Sequence, residues 1–456
     1  MSTRPAFSED AYDPREPRGP IGVPASAVAR SDAPPIAGGQ AVPAARHRND
    51  WHVLLLLFIL AGVVESQAFG HLSAFTPIFL QQLRVPHDQI AGWTGIMSAL
   101  AFVIGLPLLP FWGPWAERYG RKLIIVRSAY VEAVLFTIVG LSPNVWVLAA
   151  GRLLGGFVLG NTGVMLALLA DVTPRRRLGL AVGIASAGFP LGSAIGPYLG
   201  GLVVQGAGIR TLLIIDAALS GVMGIILTLG IREEPRVAAV TASVGTLLRQ
   251  AVNAIMRSPR VPRLFVVYFC ATYGLSLAAP FAPIVLQRLY LGPAAAVAGV
   301  IGLTLTTAGI AMAITTPLWG RLGDLIGRWR VLPICLLALL AALAAEAVAP
   351  SLPWLQAAIV GAGLFQGAVG TTIIALLALL TPPDHRTSVL NFSLLPSQLA
   401  WFFAPLTGAG LVALAGGVPA LAPLAIRVPF AAGAVVLAIA LLLAARLSAR
   451  SGTLET

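Results

Sequence analysis

Residues 74–83 read AFTPIFLQQL, and residues 280–289 read PFAPIVLQRL. Phe75, Pro77, Ile78, Leu80, Gln81 and Leu83 recur as Phe281, Pro283, Ile284, Leu286, Gln287 and Leu289, at an offset of 206. Three further matches keep that register. Ala91, Gly92 and Gly95 return as Ala298, Gly299 and Gly302, at 207. Gly113, Glu117, Gly120 and Arg121 return as Gly320, Asp324, Gly327 and Arg328, again at 207. Pro197 and Gly200 return as Pro405 and Gly408, at 208. Chance supplies one such match; four in register mark a chain built from two copies of one unit.

Composition says what the unit is. Of 456 residues, 57% are apolar and only 11% charged, with a mean hydropathy of +0.86. An ordinary soluble domain is about 25% charged, so this chain cannot cover its surface with ions in water and reads as a membrane protein. Its 48 Gly and 34 Pro fit that reading, since both are more frequent in membrane helices than in soluble ones. A span needs about 20 apolar residues. Candidates fall near 53–76, 91–112, 123–141, 146–169, 179–204, 211–231, 263–286, 295–319, 331–349, 353–380, 388–413 and 428–445, the last two interrupted by Pro396, Pro405, Pro419 and Pro423. A polar stretch from Arg232 to Val261 divides these twelve into six and six. The repeat offset therefore covers an even number of crossings, and both copies share one orientation, as in transporters whose site lies at the repeat interface.

The expected fold is all-α: twelve transmembrane helices in two six-helix bundles related by a pseudo-twofold parallel repeat. Residues 1–50 mix Pro, Ala and Ser with scattered charges; with no apolar period, and without the pattern of a secretory signal, they read as a disordered cytoplasmic tail. The first bundle is then 51–231, a cytoplasmic linker 232–262, the second bundle 263–446 and a C-terminal tail 447–456.

Basic residues set the orientation. With the tail inside, 25 of the 30 fall on the inner side, Arg127 counted among them; only Arg84, Arg210, Arg288 and Arg427 fall outside, and Arg152 lies within a span. Both termini are therefore expected in the cytoplasm. The net charge of +12 is explained by topology and anionic lipid, and no nucleic-acid partner is expected. Cys270 and Cys335 sit in apolar runs, so neither a disulfide framework nor a cysteine zinc site is available. Of five histidines, all but His71 lie in loops or at span edges, and no metal or cofactor is expected. The only lysine, Lys122, is followed by Leu, so the phosphate loop of an ATP-driven pump is missing.

Three stretches carry more specific chemistry. After the second span comes Gly113-Pro-Trp-Ala-Glu-Arg-Tyr-Gly-Arg-Lys122. Its glycines suit a tight turn, and Glu117 can form charge-assisted pairs with Arg118, Arg121 and Lys122. One copy alone would read equally well as a basic loop that fixes topology; the second copy, with Gly320, Asp324, Gly327 and Arg328, argues for more. In the fifth span Gly183, Gly192, Gly196, Pro197, Gly200 and Gly201 fit the pattern G-x8-G-x3-GP-x2-GG, while Gly188, Gly192, Gly196 and Gly200 recur every four residues. That spacing makes a groove for a close helix neighbour, and Pro190 and Pro197 add kinks. In the fourth span Arg152, in GRLLGG, lies about 9 Å from the outer face counted from Trp146, a depth from which an arginine can also snorkel out.

The two loops resemble the signature between helices 2–3 and 8–9 of the major facilitator superfamily. The resemblance extends over nearly all of 51–445, is closest in 90–201, and within the superfamily points to twelve-span bacterial multidrug efflux pumps, the drug:proton antiporters. It implies that Gly113, Glu117, Arg118, Gly120, Arg121, Gly320, Asp324, Gly327 and Arg328 form a breakable latch between the inner ends of the bundles. This chain departs in having Glu117 where the family usually has Asp. The fifth-span glycines are similar to the motif of exporting antiporters, which packs on the eighth helix and controls the outer gate. GRLLGG resembles the family's buried-arginine motif, and Asp171-Val-Thr-Pro-Arg-Arg-Arg177 is family-like as well.

Four carboxylates fall within spans: Glu65, Glu132, Asp216 and Glu346. Asp216 and Glu346 lie about a turn from the outer surface and read as reaching it. Glu65 is twelve residues after Val53 and eleven before Thr76, near the bilayer midplane, where an ionised group is expensive and faces a cavity or a partner. By resemblance the first helix lines the central cavity, making Glu65 the candidate proton-coupling residue. The third helix is peripheral in the family, so Glu132 reads as structural. The cavity candidates are Gln67, Phe69, Arg152, Asn161, Tyr268, Tyr273, Phe365 and Gln366. Singly, each aromatic reads better as packing or lipid contact. Together they describe an apolar, aromatic cavity suited to lipophilic or amphipathic solutes.

The expected function is secondary transport: a monomer in the inner membrane that exchanges small lipophilic molecules for protons, without enzymatic activity. An uptake symporter or facilitator for a sugar or organic anion is the alternative within the fold, and would want a more polar cavity and no glycine groove on the fifth helix. A membrane enzyme acting on lipid-linked substrates would need paired carboxylates or a histidine cluster in a loop, and neither is visible in the sequence.

Overall fold

The computed structural model of the protein describes residues 49–232, 260–381 and 392–449, with the single positions 249, 253, 255, 256 and 389. The proposed tail 1–50 lies outside them except for Asn49 and Asp50, as do most of the linker 232–262 and residues 450–456. Twelve described helices are long and apolar enough to cross a membrane. They are α1 (Trp51–Gln82), α2 (Ile90–Tyr119), α3 (Arg121–Leu141), α4 (Val145–Val172), α5 (Leu178–Ala207) and α6 (Ile209–Gly230) in the first half. The second half holds α7 (Arg260–Leu289), α8 (Ala294–Ile326), α9 (Arg328–Ala347), α10 (Leu352–Leu380), α11 (Leu395–Gly416) and α12 (Ala422–Ala449).

Local chemistry sets the helix ends. The Asp50 carboxylate accepts the His52 backbone N–H at 2.9 Å and caps α1; that bond, with the His52 ring beside it, holds the Asp50 carboxyl below its usual range. Asn144 caps α4, its Oδ1 accepting from the N–H groups of Trp146 and Val147 at 3.1 and 3.0 Å. The largest difference from the sequence reading is at the duplicated loops. Gly113 and Gly320 are not turn residues, because α2 and α8 run through them as helix to Tyr119 and Ile326. The chain reverses only at Gly120 (φ 101°) and Gly327 (φ 93°), a left-handed backbone that glycine adopts without strain. The eleventh helix starts at Leu395 with Pro396 in its first turn, where a proline's missing N–H needs no partner. The twelfth begins six residues earlier than expected, as a tight 3₁₀ turn over Ala422–Arg427.

Within the first half α1 lies along α5 and α6, and α3 along α6; within the second, α8 lies on α10, α9 on α10 and α12, and α7 on α11 and α12. Two seams join the halves, α5 with α8 and α2 with α11. The repeat exchanges α2 with α8 and α5 with α11, so these are one contact made twice. A Cβ on Gly95 would collide with the Pro405 carbonyl and come within 2.7 Å of the Ala409 Cβ. Its repeat mate Gly302 meets Pro197, the mate of Pro405, in the same way, 2.9 Å from the carbonyl carbon. Near the pseudo-axis Gln81 and its mate Gln287 exchange amide hydrogen bonds of 2.9 and 3.0 Å. The residues that betrayed the duplication are thus those through which the copies touch.

These contacts gather at the end opposite the arginine-rich turns. There Phe75, Phe79 and Phe281 are fully buried in an apolar cluster drawn from both halves. Toward the basic end a separate cluster, around Leu54, Trp112, Ile125 and Leu169, comes from the first half alone. Side chains added at Gly113, Gly183 or Gly320 would meet nothing within 4 Å. The halves close on each other at one end and part toward the other.

Candidate functional site

Glu65 stands midway along α1. Its Oε2 accepts the Asn161 Nδ2–H at 2.7 Å, and the same amide nitrogen donates to Ser128 Oγ at 3.0 Å. Asn161 reaches this position because α4 breaks above it: Leu154–Phe157 tighten into a 3₁₀ turn, Gly160 takes φ 90°, and a new helical segment starts at Asn161. The Trp112 indole fills the space beside Gly160. Arg127 lies over the same indole, 3.6 Å from the ring centroid, and donates from Nη2 to the Leu159 carbonyl at 3.3 Å. Its Nε and Nη1 are buried with no hydrogen-bond partner among the described residues, and its charge is within electrostatic reach of Glu65. A half-buried acid, a neutral donor and a cation with two N–H groups lacking a partner among the described residues converge at mid-span.

Arg127 was missed from sequence, where it counted as one more inner-loop arginine. It belongs to α3, whose first residue is Arg121, and its distance into that helix was the available signal. Glu132 also departs from expectation. It is 3% exposed, its Oε1 has no described partner, and it lies within electrostatic reach of both Glu65 and Asp216. Asp216 does not reach a surface; it is 1% exposed and bound to His71. Glu346, also expected at a surface, is 6% exposed and lines a cavity.

That cavity, about 430 Å³, lies between the halves. Ser73, Ser98 and Phe102 line it from the first half, and Glu346, Gln366 and Trp401 from the second. The Phe102 and Trp401 rings are 6.1 Å apart. Of the residues assigned to a cavity from sequence, Gln366 lines this one, and Asn161 holds Glu65. The others are engaged elsewhere. Arg152 is 8% exposed and donates from Nε and Nη2 to the Met97 carbonyl at 2.9 and 2.7 Å, tying α4 to α2. Phe69 meets Phe136 edge-on at 6.3 Å inside the first half. Gln67 lies against Gly196, and Tyr268 is buried. Tyr273 donates to Thr407 Oγ1 at 2.7 Å, and Phe365 stacks near Trp319 at 5.3 Å. A larger recess of about 1050 Å³, lined by Gln81, Trp93 and Gln287 among others, sits at the closed end.

At the basic end the ion pairs among the described residues stay within their own halves. Arg121 binds Asp171 at the end of α4 rather than Glu117, because Gly120 redirects the chain before Arg121 opens α3. Arg328 binds Asp324 one turn away at 2.7 Å. Arg118 lies over the Tyr119 ring at 5.4 Å. The α5 glycines divide their work. The four-residue stripe of Gly188, Gly192, Gly196 and Gly200 receives α1, against Ile59, Val63, Gln67 and His71, and not α8. The α8 contact falls on the next face, where a Cβ on Gly201 would stand 2.7 Å from the Ala298 carbonyl oxygen. The Tyr198 N–H, beside the Pro197 kink, donates there to Thr306 Oγ1 at 3.0 Å.

Comparison with known proteins agrees with this architecture. The chain is 30% identical over 295 residues to the multidrug resistance protein MdtG of Yersinia enterocolitica, an alignment covering 64% of this chain and 69% of that one. It is 30% identical over 288 residues to MdtG of an Escherichia coli O17:K52:H18 strain, covering 62% and 69%. Among solved structures it resembles a bacterial homolog of the human lysosomal transporter Spinster in an inward-facing, unoccupied conformation, with a TM-score of 0.73 at 17% identity over 87% of this chain and 97% of that one. The nucleoside transporter NupG superposes with a TM-score of 0.68 at 14% identity, over 85% and 99%. The family model described as Major Facilitator Superfamily matches residues 53–300 and 264–453. With twelve crossings, two copies of one unit and seams that the repeat exchanges, the chain belongs to the Major Facilitator Superfamily and is a multi-pass membrane transporter.

Proposed function

We propose that the chain is a drug:proton antiporter of the bacterial inner membrane, exporting lipophilic or amphipathic solutes as a monomer with both termini in the cytoplasm. The multidrug-resistance relatives support export, and the distribution of basic residues supports the orientation. One observation carries the coupling: Glu65, at mid-span, is held by a single neutral donor at 2.7 Å beside an arginine with two unsatisfied N–H groups. Such a group gains or loses a proton at a cost set by which side the path faces.

The cycle alternates two states of the paired halves. Facing outward, Glu65 takes up a proton and weakens its hold on Arg127. The halves rock to the state seen here, parted at the basic end, and a solute entering from that side displaces the proton. For the solute, the cavity supplies the Phe102 and Trp401 rings with Glu346 and Gln366. Aromatic walls with one acid suit an amphipathic cation or a neutral lipophile. A sugar would need more hydrogen-bonding groups than these. The inner segments at Arg121–Asp171 and Asp324–Arg328 would re-pair across the halves when that end closes.

The test is an efflux panel of lipophilic cations and neutral dyes in a pump-deficient bacterium. Expression should lower accumulation of some compounds, and an uncoupler should restore it. Accumulation raised by expression, or efflux indifferent to the uncoupler, would overturn the reading.

A further inference from the structure

One buried pair plays no part in that cycle. His71 on α1 and Asp216 on α6 are 4% and 1% exposed and meet through Nδ1, at 3.0 and 2.9 Å from the two carboxyl oxygens. The other ring nitrogen, Nε2, is 2.8 Å from the Gly196 carbonyl oxygen on α5. A carbonyl only accepts, so Nε2 carries a proton. A second proton lies between Nδ1 and Asp216, whichever of the two owns it. The pair therefore holds two protons in this conformation. Removing one leaves either Nε2 and the Gly196 oxygen, or Nδ1 and a bare carboxylate, facing each other lone pair to lone pair.

The surroundings make that loss consequential. α5 brings no acidic or basic side chain to the site. α6 brings Asp216 and, nearer the closed end, Arg210, which lies 5.4 Å from the Phe79 ring. α3 brings Glu132, α1 itself Glu65, and α4 Arg152, engaged with Met97. α2, α7 and α8 carry their acidic and basic residues only near their ends. Among the described residues, His71 is the side chain recorded at the Gly196 carbonyl, although the Gln67 backbone packs close by. The ring fits because residue 200 is glycine: a Cβ there would lie 2.7 Å from Nε2. One and five residues beyond Gly196 on α5, Pro197 and Gly201 form the contact with α8.

We infer that His71 and Asp216 form a second proton-binding site whose proton fastens α5 to α1 and keeps the α5–α8 seam closed. This rests on the antiporter reading for its place in the cycle. A pair that favours closure of this end when loaded, and releases it when empty, commits the carrier to delivering its proton before the end reopens.

Spin labels on Gln205→Cys and Leu291→Cys, with Cys270 and Cys335 replaced by Ala, report by pulsed electron resonance the separation of the α5 end from the turn that leads into α8 at the closed end. In the otherwise unchanged protein the short distance should dominate in acid and give way to a longer one as pH rises. His71→Gln keeps an amide donor toward Gly196 at every pH, and Asp216→Asn keeps neutral His71 on Gly196; both should stay short throughout. Glu65→Gln should retain the pH response. A distance that does not respond to pH in the parent, a response surviving in both pair variants, or one abolished by Glu65→Gln would overturn the inference. The readout needs no transport, so its failure is separate from any failure of the efflux test.

Discussion

At the residue scale the account turns on Arg127 as much as on Glu65. Both side chains are only half-buried, which keeps the cost of losing one partner below that of a fully buried pair. Even so, a guanidinium with two buried N–H groups that lack a partner among the described residues is held more easily while a counter-charge stands within electrostatic reach. Arg127→Met should therefore lower the thermal midpoint of the purified protein and abolish efflux. Glu65→Gln should abolish proton-coupled efflux with expression intact. The double variant should regain much of the lost stability while remaining inactive, a coupling that a double-mutant cycle of melting curves would detect. Additive losses would mean that the two side chains do not sense each other. Neither partnership could be read from the chain: Glu65 stood out because a carboxylate at mid-span is costly, whereas an arginine six residues past the basic turn looks like one more inner-side charge.

At the element scale the closed end depends on glycine meeting backbone. Gly302→Leu should leave the state in which this end is open nearly untouched but penalise its closure, because overpacking costs about 1–3 kcal/mol, enough to shift a two-state equilibrium by about 5–150-fold. Cysteine accessibility at Gln287 should rise in that variant, and Gly95→Leu should do the same through the symmetric seam; protection unchanged in both would contradict the packing. The elements were largely legible. Apolar length set the number of helices, and the repeat identified Gly95, Gly302, Pro197 and Pro405 before their contacts were known. Less legible were the ends of α2 and α8, since glycines inside an apolar helix and glycines at a turn look alike until the backbone shows which has positive φ. The partner of the α5 stripe was also hidden. A four-residue glycine spacing says that something packs closely, not whether α1 or α8 does so.

At the scale of the whole molecule, duplication supplies two halves that meet through equivalent residues, while chemistry is distributed unequally. The first half holds Glu65, Arg127, Glu132, Asp216 and His71; the second adds Glu346, Gln366 and Trp401 to the cavity. On the proposed reading, proton handling falls mainly to one copy and much of the solute surface to the other, so the two events communicate across the contacts between the halves. Proteoliposomes loaded with a pH-sensitive dye test this most directly. A gradient of an exported solute imposed across the membrane should drive protons in the opposite direction through the unaltered protein, and Glu65→Gln should end that proton flux. Solute movement with no proton counterflow, or counterflow undiminished by Glu65→Gln, would contradict the account.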